Sequence, residues 1–306
     1  MTTDMSTLTT DLTPDLTSTT DSQDSILTPH QYNAIKWSLV ALQVLVCLFG
    51  LVTNIVNIIV FGKMGVAESA VSLTLFSLAV ADLGFLVTYF IFLLITVALA
   101  FELDLIYHQS LSISVWSFLY KISTAITVYL SLQKMFCVAI PFTFKNVFTL
   151  RRTVEVLMLT TVIIAGFYVP MFASYYIGEF KDPLNNTTRR ALAQSPSYRG
   201  YRDIQEIAME YVLPFSAQII VIICLVVLVT KLSRASNFRR RNATTKTTDE
   251  DSANSGASGL SGKELQAVQA VVLVSAMFVT CNLPPMCSTL AMMVEPEYYQ
   301  FGSYFR

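Results

Sequence analysis

The chain is 306 residues long, 54% apolar and 13% charged, with a formal net charge of −1. Soluble domains carry about a quarter charged residues, and no soluble core needs this much apolar surface in long blocks. An enzyme is not expected either: there is no Gly-rich phosphate loop and no metal-spaced His/Cys cluster, and His30 and His108 are the only histidines.

Residues 1–36 open the chain with Thr, Ser and Asp. Asp4, Asp11, Asp15, Asp21 and Asp24 all precede the first basic residue, Lys36. Such a segment cannot bury enough apolar surface to fold, so a disordered outer tail is expected. Six apolar segments follow, at about 37–62, 71–100, 109–141, 153–177, 205–232 and 263–293. Each reaches or passes the roughly 20 residues that cross the hydrocarbon layer as a helix. Four hold charge-free stretches at Trp37–Gly62, Val156–Ile177, Tyr211–Thr230 and Leu265–Val294, and two carry charge in mid-run: Asp82 in the second, Lys121 and Lys134 in the third. A chain in lipid must pair its backbone internally, and these segments are far too long for barrel strands. The fold class expected is an all-α polytopic membrane protein. Residues 236–262, with Arg239-Arg-Arg241 and then Thr, Asp, Ser and Gly, are expected to form a flexible loop with a basic collar. Residues 295–306 are too short to span, so six crossings are expected, with both ends on one side.

Lys and Arg gather in alternate connections. Lys63 follows the first segment, Lys145, Arg151 and Arg152 follow the third, and Lys231 to Lys263 joins the fifth and sixth. By the positive-inside rule these three connections are cytoplasmic and the N-terminal tail is extracellular, in a multi-pass plasma-membrane protein. Arg189, Arg190, Arg199 and Arg202 run against that rule. Overlapping sequons at Asn185 and Asn186 make these two residues the glycosylation candidates, on the outer side. The five cysteines (Cys47, Cys137, Cys224, Cys281 and Cys287) lie in or at the ends of apolar segments. They read as small hydrophobes rather than a disulfide framework.

The polar and proline exceptions are spaced like those of a known family. The first segment carries Gly50-Leu-Val-Thr-Asn54, the second Leu78-Ala-Val-Ala-Asp82, and the third ends in Leu132-Gln-Lys-Met-Phe-Cys-Val-Ala-Ile-Pro141. Pro170 and Pro214 mark the fourth and fifth, and Phe278-x-x-Cys281-x-x-Pro284 the sixth. From about residue 37 to 294 this resembles a rhodopsin-like (class A) G-protein-coupled receptor, in the style of invertebrate chemosensory and neuropeptide-type receptors, lacking the seventh helix. The resemblance implies an extracellular ligand, a heterotrimeric G protein partner and an outward swing of the sixth helix about Pro284, over Phe278. It implies no nucleic acid, no catalytic residue and no cofactor beyond a sodium ion at Asp82, shared with Ser123. The other reading is a neutral Asp82 bonded to Asn54 or backbone, and it is preferred where the seventh helix supplies no ligands.

Departures from the pattern matter as much. The family's acidic-Arg-aromatic triplet stands here as Gln133-Lys134-Met135, which keeps a positive charge without the planar fork. Asn282 replaces the usual Trp, and no cysteine exists at either end of the family's outer disulfide. Trp116 occupies the place of the amine receptors' Asp, which argues against a biogenic amine. A peptide or small chemosensory ligand is expected against Tyr89, Trp116, Tyr120 and Lys121, where Lys121 either meets an acidic ligand group or snorkels to a polar neighbour. The competing readings are a truncated, non-signalling receptor fragment and a membrane transporter or channel.

Overall fold

A computed structural model of the chain describes residues 29–100, 106–181 and 188–245, with separate helical positions between Leu273 and Ala291. The first helix, α1, runs Pro29–Met64. It starts before the predicted residue 37 because proline's fixed φ and missing N–H suit the first helical position, and the eight residues after Pro29 contain neither Gly nor Pro. Gly65, at φ +92°, closes it in the left-handed region that only glycine enters freely. After this turn α2 runs Ala70–Ala100 and α3 runs Ile106–Ala139.

Pro141 ends α3 before the predicted 141. The residue preceding a proline is pushed toward extended backbone, and Ile140 sits at φ −141°, ψ 69°. Pro141 then opens the short α4, Pro141–Val147. Helix α5, Leu150–Ala173, is capped by the Thr149 side chain, which accepts from the Arg152 N–H. The helix predicted over 153–177 is shorter in the structure. Pro170 removes one backbone donor, α5 stops three residues later, and Tyr175–Lys181 (β1) pairs antiparallel with Thr188–Gln194 (β2). The hairpin's central residues 182–187, with the sequon positions Asn185 and Asn186, lie outside the described residues.

A 3₁₀ turn at Pro196–Tyr198 leads into α6, Arg199–Glu206, a π-helical turn at Ile207–Val212, and α7, Leu213–Thr245. The predicted single helix at 205–232 is thus longer at both ends and interrupted. Its far end enters the predicted loop because Lys231–Thr245 contains neither Gly nor Pro. Residues 1–28, 246–272 and 292–306 lie outside the described residues.

Among the described residues, five helical runs are long and apolar enough to cross a membrane: α1, α2, α3, α5 and the α6–α7 run. Their outer faces expose large apolar side chains such as Phe49 (72%) and Leu45 (66%). Patches of that extent are what lipid covers. The α-helical membrane bundle therefore agrees with the expected fold class. Helix α3 is the central post and packs on α2, α5 and α7, while α1 lies against α2. At that last contact a Cβ on Gly50 would come 2.9 Å from Leu86 Cδ1, so glycine permits the close approach. A buried core of Ile164, Tyr168, Met171, Tyr198 and Met209 closes the hairpin end of the bundle.

Candidate functional site

Glu210 is placed by Pro214. A proline four residues on cannot donate to the Glu210 carbonyl and its ring crowds it, so the chain widens, and the Leu213 N–H bonds back five residues to Ala208. The π turn this creates is a feature often found at functional positions. It aims Glu210 at α3, where its Oε2 lies 2.8 Å from Lys121 Nζ. The Lys121 side chain is 4% exposed and that of Glu210 49%. Ser117, one turn earlier on the same face of α3, lies 3.5 Å from Glu210 Oε1 and 2.9 Å from the Tyr168 hydroxyl. One polar chain therefore joins α3, α5 and the π turn. Lys121 stands ten residues inside its span, Leu111–Ala139, roughly 15 Å along the helix, and Glu210 stands just before the charge-free run that begins at Tyr211.

Beside this chain is an aromatic wall between α2 and α3. Tyr89 and Trp116 meet with ring centres 5.6 Å apart, and Tyr120 reaches the same group through Phe85 at 5.5 Å. Phe92 completes it, 6.3 Å from Trp116. The Trp116 Nε1 is buried and has no hydrogen-bond partner among the described residues. Sequence reasoning named Tyr89, Trp116, Tyr120 and Lys121, and the structure brings the three aromatic residues together. It gives Lys121 a partner within the chain, Glu210, and adds Phe85 and Phe92.

Deeper in the bundle, Ser123 Oγ donates to Asp82 Oδ1. Asn54 does not share that contact: its amide donates to the Gly50 carbonyl of its own helix, at 3.0 Å. Among the described residues, the side-chain hydrogen bond to Asp82 is the one from Ser123. No group of three or more His, Cys, Asp or Glu residues is placed to hold a metal ion among the described residues.

At the opposite end, Gln133 is fully buried and donates through Nε2 to Thr153 Oγ1 at 3.4 Å. The Tyr129 hydroxyl lies 3.0 Å from the same oxygen. This position thus ties α3 to the start of α5. Lys134 and Met135 are half-buried, and no carboxylate pairs with Lys134 among the described residues. Rings of Tyr129, Phe136, Phe144 and Phe148 pack beneath α4, while Phe142 stands 93% exposed. Cys281 and Pro284 are helical and exposed, and Gln218 of α7 donates to the Val279 carbonyl at 3.1 Å. Phe278 and Asn282 lie outside the described residues.

The chain matches the family described as serpentine type 7TM GPCR chemoreceptor Srx over residues 44–293. It belongs to the Srx family of seven-transmembrane chemoreceptors. The matched range takes in every site residue above, from Gly50 to Pro284. This Srx chain is therefore a multi-pass membrane protein of a G-protein-coupled receptor family, and that family is not one of enzymes. Comparison with curated proteins gives no match.

Proposed function

We propose that this Srx chain is a plasma-membrane receptor with its N-terminal tail and hairpin outside, and that it transmits binding of a peptide or small chemosensory molecule to a heterotrimeric G protein. The observation that carries this reading is the polar chain of Lys121, Glu210, Ser117 and Tyr168, set among bilayer-length helices beside an aromatic wall. A buried ammonium well inside an apolar span, as at Lys121, is costly and marks a functional position by default. The ligand site is the hairpin half of the bundle. The coupling site is the α4 end, with Gln133, Lys134, Met135, Pro141 and the basic collar at Arg239–Arg241. Outward movement of the 263–293 segment about Pro284 carries the signal, because proline leaves a gap in the helical hydrogen-bond ladder where bending is cheap. A ligand shifts this equilibrium only by binding one arrangement more tightly than the other.

The rhodopsin-like pattern supplies the frame of Asn54, Asp82, Pro141, Pro214 and Pro284. Within it Asp82 is read as neutral and bonded to Ser123, a reading supported by the hydrogen bond that the Ser123 hydroxyl donates to its carboxyl. Reconstitution of the full chain with a heterotrimeric G protein in lipid vesicles tests the reading. Uptake of a non-hydrolysable GTP analogue is expected to exceed that of empty vesicles, to fall in Lys134→Ala and to rise in the Gln133→Asp/Lys134→Arg double variant. Uptake equal to empty vesicles in all three proteins rejects it.

A further inference from the structure

We propose that Glu210 is an internal stand-in for the ligand, and that the chemical class this site takes is a molecule bearing a carboxylate, which displaces Glu210 from the Lys121 ammonium. The proposal rests on the receptor reading above and names the ligand chemistry of the same site.

The asymmetry of the pair carries the inference. Lys121 is walled in at 4% side-chain exposure, whereas its partner is 49% exposed. The buried cation is fixed on the central helix, and the carboxylate that neutralises it reaches in from the open side. Each group pairs differently with its surroundings. Lys121 has Glu210 as its ion-pair partner among the described residues, while Glu210 also meets the Ser117 hydroxyl. An incoming carboxylate would keep Lys121 neutralised and inherit the Ser117 hydroxyl, and the charge that loses its partner is that of the half-exposed Glu210 rather than that of the buried Lys121. The released Glu210 side chain already has access beyond the pair. A cationic ligand group has no comparable place, because binding Glu210 would strand the buried Lys121 ammonium without a counter-charge. Glu210 also lies on the π turn that Pro214 imposes. That turn is a register irregularity in the α6–α7 run, and α7 touches the 273–291 segment at Val279. Exchange at Lys121 thus acts on a helix that, among the described residues, touches the segment expected to move.

Chemical rescue tests this on the full chain in lipid nanodiscs, with acetate as the probe and acetamide as its neutral match. In Glu210→Ala, acetate is expected to raise the melting temperature in a saturable way, by about 3 °C for a protein of this size. Acetamide is expected to give no shift, and Lys121→Met/Glu210→Ala no response to either. If Glu210→Ala does not fold, Glu210→Gln serves, with the same acetate-specific gain expected. Absence of an acetate-dependent gain in whichever variant folds overturns the proposal, as does an equal gain in the double variant. The two readings fail separately. An acetate response without G-protein-dependent nucleotide uptake rejects only the receptor reading, and uptake without an acetate response rejects only this one.

Discussion

Thr153 concentrates more interaction than its size suggests. It is fully buried and meets both Tyr129 and Gln133, so it is the link through which α3 grips the start of α5. Thr153→Val keeps the shape and removes the hydroxyl, leaving the buried Gln133 amide and the half-buried Tyr129 hydroxyl without this partner. A loss of about 1–3 kcal/mol is expected, read as a lower melting temperature in nanodiscs. Thr160→Val, whose hydroxyl bonds only a carbonyl of its own helix at an exposed position, should change little. At the other end, Tyr198 is held in the hairpin-side core and donates to Gln205. Burial first, then the neighbouring Tyr175 and Tyr201, push its phenol from the ordinary 10 to about 12. The folded state thus holds this proton more tightly than the unfolded chain does. That share of stability is whole below about pH 10 and fades as pH climbs toward 12. Alkaline melting curves should therefore steepen over that window, and less so in Tyr198→Phe. Charges inside apolar runs make Asp82 and Lys121 conspicuous in the sequence. Glu210 is not conspicuous, because it stands just before the charge-free run from Tyr211 and reads, with Glu206, as part of the polar entry to the segment predicted at 205–232.

Prolines made the helix breaks legible in part. Pro141 stops α3 close to the predicted end at 141, whereas Pro170 reads as a kink and α5 instead ends at Ala173, before the predicted 177. The π turn before Pro214 was not legible, since a proline kink and a widened turn begin from the same missing hydrogen bond. The hairpin was hidden for another reason: Tyr175, Tyr176 and Ile177 continue an apolar run, and their strand character depends on partners at Leu192–Gln194, more than a dozen residues away. If Pro214 causes the π turn, Pro214→Ala should let the ladder close as ordinary α-helix. That would rotate Glu210 by about 100°, the step of one helical residue, away from Lys121. Cysteines placed at positions 121 and 210 are expected to be bridged by a bifunctional thiol reagent of side-chain length in the parent and several-fold less in Pro214→Ala. Equal cross-linking would remove Pro214 as the cause.

The bundle as a whole has one face of aromatic and hydroxyl groups at the hairpin end and one of basic residues at the other. Periodic apolar length was enough to read this class of fold from sequence, because bilayer thickness sets element length directly. The direction in which the bundle is threaded rests on the Lys and Arg count, against which the Arg189–Arg202 cluster argues. Phe142→Cys offers a clean measurement, since that side chain is 93% exposed on α4. A membrane-impermeant maleimide should label it in inside-out vesicles and spare it in intact cells. Labelling in intact cells would reverse the topology and move the coupling end outside.

The top of α3 is fastened to β1 by two hydroxyls, Ser114 and Tyr175, 2.8 Å apart, and all five cysteines are free thiols. No covalent staple has to be oxidised for the hairpin to find its seat. The chain should therefore mature without help from thiol-oxidising folding machinery. Its melting profile should be indifferent to dithiothreitol, and synthesis under strongly reducing cell-free conditions should yield the same species as synthesis through the secretory route.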